Sequence, residues 1–400
     1  MTDIFIARQP IFDKKMKVYA YELLFRSGPE NIYRANPLAA QSVIADATTV
    51  YRWDNLLGPA KAFVNVDEKA LLAEAPRLLD PKRVVLEILE GVSQSEEVLA
   101  ACSDLRRGGY ELALDDFVGD RKWNRFFPLV KFLKVDFQAC DEYAQRDIAA
   151  SYLSQGFSLL AEKVETREQV EFAEALGYTL FQGFFFCKPT MISGRDFPAN
   201  QLSCVRLLRE TAAAELNLSA VERLLRQDPS LTYKLLRYLN SPLLGLRSEV
   251  KDIRHAMHLL GITEFRRWVS IMAVVALAIG KPAELARTAV QRGYFCEELA
   301  KDCGMSDVAA ELFLMGLLSV ADALLDRPME KVLEELPLAS EIETALRGGE
   351  NRFRTVFDII LAYEQGIWNE VSKAARRLDL KEVLLPGCYM KATERAAVVR

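Results

Sequence analysis

Residues 111–117, Glu-Leu-Ala-Leu-Asp-Asp-Phe, read as a short apolar strand that stops on two adjacent carboxylates, Asp115 and Asp116. The same pattern recurs along the first half of the chain: KAFVNV carries Asn65 near its end, VVLE ends on Glu87, FLKVD holds Lys134, LLAE ends on Glu162 and LFQG contains Gln182. The apolar runs Ile4–Ile11, Ala62–Val66, Arg83–Ile88, Glu111–Leu114, Phe132–Val135, Leu159–Glu162 and Leu180–Phe186 lack strict alternation. That pattern suits strands covered on both faces, as in a parallel sheet. Helical segments separate them. Val98, Leu99, Cys102 and Leu105 lie at helical spacing before Gly108 and Gly109, and Thr166 with Gln169 forms a capping box on a helix ending at Gly177. Strand followed by helix over about 190 residues means an α/β barrel or a doubly wound sheet. No glycine-rich phosphate loop follows the first strand, which favours the barrel.

A barrel turns all its C-terminal strand ends to one mouth, so these polar groups should converge there. Converging carboxylates repel unless cations compensate, and all-oxygen donors select hard ions such as Mg²⁺, Mn²⁺ or Ca²⁺. Adjacent aspartates suit a two-metal cluster. Any one of them could instead be a helix cap or a solvated loop residue; their recurrence on successive strand ends argues otherwise.

The second half reads as helical throughout. The change falls in Lys188–Gln201, punctuated by Pro189, Gly194 and Pro198. Ser219 with Glu222 suggests one helix start, and Asp228-Pro229 another, with Leu231, Leu235 and Leu239 on one face. Further helices are expected over Lys251–Leu260, Thr263–Ile279, Pro282–Cys303 and from Ser306 onward, with the nearly uncharged Trp268–Ile279 buried centrally. The two histidines, His255 and His258, sit three apart without a companion carboxylate motif and read as a partly exposed helix face.

The 400 residues carry 51 Lys+Arg against 56 Asp+Glu, a net charge of -5, which disfavours a duplex nucleic acid partner. Seven cysteines with no Cys-x-x-Cys spacing imply reduced, buried thiols. The N-terminus has no secretory pattern and no apolar run reaches the roughly 18 residues that a bilayer needs, so a cytoplasmic protein without membrane contact is expected.

These motifs resemble a known family. Residues 1 to about 195 resemble an EAL domain, a TIM-like barrel phosphodiesterase that opens cyclic di-GMP to the linear dinucleotide. The resemblance is carried by Gln9-Pro10-Ile11, Glu22-Leu23-Leu24 with Arg26, Val64-Asn65-Val66, Leu86 to Glu90, Asp115-Asp116-Phe117, Leu133 to Asp136, Ala161 to Thr166, Gln182-Gly183-Phe184 and Lys188-Pro189. It implies that Glu22, Asn65, Glu87 and Asp115 hold one Mg²⁺ or Mn²⁺, and that Asp115, Asp116 and Glu162 lie at or near a second. It also implies that Lys134 orients the attacking water, that Glu165 and Gln182 support the site, and that Arg26 meets the nucleotide. Residues 200–395 resemble an all-α HDOD domain, through Asp228 to Leu231, Leu239 to Pro242, Ile253 to Ala256 and Leu259 to Ile262. Ser319-Val320 stands where an active relative would carry His-Asp, so a metal phosphohydrolase site is not expected in that half. HDOD domains are signalling or protein-interaction modules, which implies signalling proteins as partners and leaves a homodimer open.

Two departures touch the barrel mouth. Val118-Gly119-Asp120 replaces the family's Gly-Thr-Gly, and Lys163 replaces the glycine of Glu-Gly-Val-Glu. A β-branched Val118 resists positive φ. The loop after Glu22 also lacks the family's Pro/Gly-rich run. These departures favour a degenerate cyclic di-GMP sensor or docking platform coupled to a protein-interaction domain; the alternative is an active metal-dependent phosphodiesterase.

Overall fold

A computed structural model of the chain describes residues 4–27, 53–73, 75–189, 199–213, 215–228, 232–233, 252–397 and 399. The expected helix after Asp228-Pro229, with Leu231, Leu235 and Leu239, the loop after Glu22 and most of the stretch joining the halves lie outside these residues. Two compact units emerge: Met1–Lys188 with Leu361–Ser372, and Pro189–Ile360 with Lys373–Arg400.

The first unit is a closed barrel in the order β1 (Ile4–Asp13), β2 (Val18–Ser27), β3 (Lys61–Val66), β4 (Val84–Ile88), β5 (Glu111–Leu114), β6 (Phe132–Asp136), β7 (Ser158–Glu162), β8 (Leu180–Gln182). The all-parallel expectation needs correction: β1 is antiparallel to both β2 and β8, while β2 to β8 pair in parallel. The first two strands form a hairpin whose turn is closed by Asp13, its carboxylate accepting the backbone N–H of Lys15 at 2.8 Å and of Lys17 at 2.9 Å. The last strand is shorter than its apolar run. After Gln182 the chain turns at Gly183 (φ 148°) into a 3₁₀ turn, Phe184–Cys187.

The outer helices start where side-chain caps dictate. Among them, α1 (Glu96–Arg107) begins at Ser95, α2 (Glu142–Tyr152) at Asp141, and α3 (Arg167–Leu176) at the expected Thr166–Gln169 capping box, ending on Gly177 in the left-handed conformation.

The second unit is helical. Its α4 (Leu218–Gln227) starts at Asn217, which accepts the Ala220 N–H, so Ser219 is not the cap; Glu222 instead pairs with Arg226 and Arg254. The long α5 (Ile253–Leu277) breaks at Gly261 (φ 74°), where two helices were expected to meet. Trp268 to Leu277 is largely buried, whereas Ile279 is exposed. Two helices, α6 (Ala283–Asp302) and α7 (Ala309–Leu318), approach so closely that a Cβ on Gly316 would lie 2.5 Å from the Arg292 carbonyl oxygen. Six of the seven cysteines are buried and all are free.

Gly183 fixes how β8 meets the segment after β7. A Cβ there would fall 2.0 Å from the Val164 carbonyl oxygen, across the pairing in which Val164 N–H donates to Gln182 O. Gly183→Ala is expected to cost about 3 kcal/mol in urea denaturation; a loss below about 0.5 kcal/mol would contradict this packing.

Candidate metal centre

Inside the barrel, one residue from each strand contributes to an apolar layer: Ile11, Ala20, Phe63, Val85, Ala113, Phe132, Leu160 and Leu180. Side chains alternate along a strand, so the residue two positions nearer the mouth faces the same interior. Counting two from each gives Gln9, Glu22, Asn65, Glu87, Asp115, Lys134, Glu162 and Gln182. Each strand therefore brings one polar group to a level floored by hydrocarbon. Gln9 stands opposite Glu22 and Asn65 opposite Glu87 in the strand register. Asp115 lies just beyond β5, where its N–H donates to the Ile88 carbonyl at 3.1 Å.

Lys134 is the hub. Its ammonium, wholly buried, lies 2.7 Å from Glu87 Oε1, 2.7 Å from Asp115 Oδ1, 2.8 Å from Glu162 Oε1 and 3.4 Å from Glu22 Oε2. Gln182 Nε2 donates to Glu22 Oε2 at 2.6 Å and to Gln9 Oε1 at 3.1 Å, and Asn65 Nδ2 donates to Glu22 Oε1 at 3.2 Å.

Four carboxylates facing one ammonium leave a surplus of negative charge in a dry place. Burial, then the Glu22 carboxylate, pushes the Glu87 carboxyl well above the usual range. Burial likewise raises Glu162 to about 8, against the pull of Lys134. Burial disfavours the Lys134 ammonium, but Glu162, Glu22, Glu87 and Asp115 outweigh it and hold the amine firmly protonated. Several acceptors also lack donors: Asn65 Oδ1, Glu87 Oε2, Glu162 Oε2 and Gln182 Oε1 are buried without a hydrogen bond, and Glu87 Oε1 meets Lys134 as an ion pair out of line for one. Buried acceptors without donors, all of them oxygen, suit a hard cation.

A second acidic patch adjoins the first. Among the described residues, Glu90, Asp115 and Asp116 bring carboxylate oxygens within 4.8 Å of one another. Lys163 reaches into it, pairing with Asp116 at 3.1 Å and with Asp136. The loop that follows does not need positive φ at Val118. Gly119 takes it, at 82°, and Asp120 caps the next turn by accepting the Lys122 N–H. The Phe117 N–H still donates to the Lys134 carbonyl at 2.7 Å, so the altered tripeptide leaves the strand ends in register.

The remaining sequence candidates lie elsewhere. Glu165 is half-exposed and holds Gln138 and Lys188 rather than joining the buried group. Arg26 is buried, its guanidinium 5.3 Å from the Phe5 ring and 3.4 Å from both the Trp368 carbonyl and the Ser372 hydroxyl. In the helical unit, His255 is partly exposed and His258 exposed, and Ser319 accepts from Arg292 while donating to the Gly316 carbonyl. Three residues beside the site lie in the quoted motifs but were given no site role from sequence: Gln9, Glu90 and Asp136. Gln9 was legible in principle, since on a reversed strand the polar residue precedes its apolar partner.

Comparison with known proteins supplies the family. A model of the EAL domain matches residues 51–189 and one of the HDOD domain matches residues 198–346. The chain is 33% identical over 401 residues to the uncharacterized protein YuxH of Bacillus subtilis, covering 98% of this chain and 97% of YuxH. The chain belongs to the EAL–HDOD family. It is also 34% identical over 390 residues to the cyclic di-GMP phosphodiesterase CdgJ of Vibrio cholerae, covering 96% of this chain and 90% of CdgJ. A solved EAL domain protein from Listeria monocytogenes shares 20% identity over 46% of this chain and 87% of that one, with a TM-score of 0.39. The chain is thus a signalling protein that joins an EAL barrel to an HDOD domain, and no helix among the described residues is long and apolar enough to cross a membrane.

Two outcomes follow from the charge balance. The unfolded chain releases the Glu162 proton near the ordinary carboxyl value of 4.5, whereas the fold holds it to about 8. The chelator-treated protein should therefore lose stability as pH rises through that window, and Mn²⁺ should restore it at pH 8; flat thermal unfolding midpoints from pH 5 to 8 would contradict this. Lys134→Met should cost about 3 to 5 kcal/mol at pH 8, because it strips three buried carboxylates and the partly buried Asp115 of their counter-ion, and less at pH 5. Equal losses at both values would show that the ammonium is not balancing ionised groups.

Proposed function

We propose that the barrel, over residues 1–195, is a metal-dependent phosphodiesterase site for cyclic di-GMP, and that the helical domain, over residues 200–395, is a protein-interaction module that couples it to signalling partners. The observation that carries this reading is the level of inward polar residues, one from every strand, with buried oxygens that have no donor. The name of CdgJ supports the substrate. The intact register around Val118-Gly119-Asp120 weighs against the degenerate reading that the tripeptide suggested.

Glu22, Asn65, Glu87 and Asp115 would hold a Mg²⁺ or Mn²⁺ ion, which supplies Lewis-acid activation of water and charge neutralisation at the phosphate. Lys134, kept cationic by its neighbours, acts as a donor that orients the attacking water rather than as a base. Glu162, 2.8 Å from the Lys134 ammonium and with no donor on its other oxygen, would take the water's proton. Gln182 and Gln9 fix the Glu22 carboxylate in place. Asp116 would bear on the phosphate side and Glu165 would steady the rim through Lys188; Arg26 would reach the guanine side of the nucleotide only by leaving Phe5, Trp368 and Ser372. One observation favours the non-catalytic sensor or docking reading: Lys163 already engages Asp116.

Incubation of the full chain with cyclic di-GMP and Mn²⁺ should give the linear dinucleotide by chromatography, and Glu22→Ala or Glu87→Gln should lower the rate by roughly 100-fold or more. Nucleotide binding in calorimetry without product would favour the sensor, and neither would leave protein docking.

A further inference from the structure

The Lys163 ammonium occupies ground that the family resemblance gives to a second metal ion. It lies 3.1 Å from Asp116 Oδ1 and pairs with Asp136 Oδ2. Asp136 is 6% exposed, and its other oxygen accepts the N–H groups of Gln138 at 2.7 Å and Ala139 at 3.0 Å, so its carboxylate is pinned facing the lysine. Lys163 takes φ 54°, a left-handed conformation disfavoured for a residue with a Cβ. The adjacent Val164 N–H donates to the Gln182 carbonyl at 2.9 Å, which ties this segment to β8.

We propose that Lys163 supplies the second positive charge of this centre from the chain itself, so that the barrel takes one divalent cation, among Glu22, Asn65, Glu87 and Asp115, and excludes a second from Asp116. This rests on the metal-centre reading above. A second ion at Asp116 would have to evict the ammonium and leave the pinned Asp136 oxygen unpaired, or sit within a few ångström of a like charge. An ammonium has three donors and no acceptor, so it can neutralise a phosphate oxygen and hydrogen-bond to it. It cannot bind and activate water as a metal does. The residue that looks like a lesion in the glycine position is thereby a cation substitute.

The test counts ions rather than turnover. Equilibrium dialysis of the full chain against Mn²⁺, with metal analysis and electron paramagnetic resonance, should find one ion per chain in the wild type and no spin-coupled pair. Lys163→Gly should bind two, with the coupling expected of ions roughly 3.5 to 4 Å apart. Glycine tolerates this backbone conformation, so the variant removes the side chain without burdening the fold. Lys163→Gln keeps most of the length without the charge and should also admit the second ion, which decides the matter if the glycine variant fails to fold. Two ions in the wild type, or one in the wild type and both variants, would overturn the role of Lys163 while leaving the first site intact. No ion in any of the three would overturn this inference together with the metal centre.

Discussion

The whole mouth of the barrel depends on the Lys134 ammonium, buried and within 3.4 Å of four carboxylates contributed by four different segments. Carboxylates withdrawn from water as far as Glu22, Glu87 and Glu162 either neutralise, pair or gather around a metal. A lysine alone satisfies one charge among four, and the fold adds amides from Asn65 and Gln182 as donors to Glu22. What remains is a set of oxygens with no donor. Protonation of Glu87 and Glu162 relieves the surplus in the absence of metal, and the proposed cation would take its place, which links the packing of the barrel to its chemistry.

The same constraint explains the apolar layer beneath. Phe63, Phe132, Leu160 and their neighbours close the barrel below the charged level, so water cannot relax the charge surplus from that side. The sheet thereby acts as a low-dielectric support that raises the cost of leaving any carboxylate unpaired. Close backbone approaches preserve the geometry above it. Gly183 carries β8 past Val164, and this holds Gln182 at the level of Glu22.

Much of this was readable from the residues. The parallel strands β3 to β7 announce themselves because each apolar run is broken at the mouth by a polar group, and the helix start at Thr166 follows from local side-chain chemistry. β2 escapes the apolar pattern because its inward positions include Glu22 and Arg26, and the hairpin before it has no glycine to mark the turn, relying on Asp13. Gln9 escapes because β1 runs opposite to the strands used for counting. The contact of Lys163 with Asp136 joins residues 27 apart through a long flexible side chain, and no local signal encodes that reach. At α4, Asn217 and Ser219 are both competent caps, and only the observed backbone decides between them.

The central claim is that the inward polar level of the barrel is a cation site. Anomalous diffraction from crystals of the full chain soaked with Mn²⁺ tests it most directly. The account predicts a manganese peak among Glu22, Asn65, Glu87 and Asp115, with oxygen ligands at roughly 2.0 to 2.6 Å and the Lys134 ammonium moved off at least one of its carboxylates. A barrel whose Lys134 contacts persist unchanged with no manganese among these residues would contradict it.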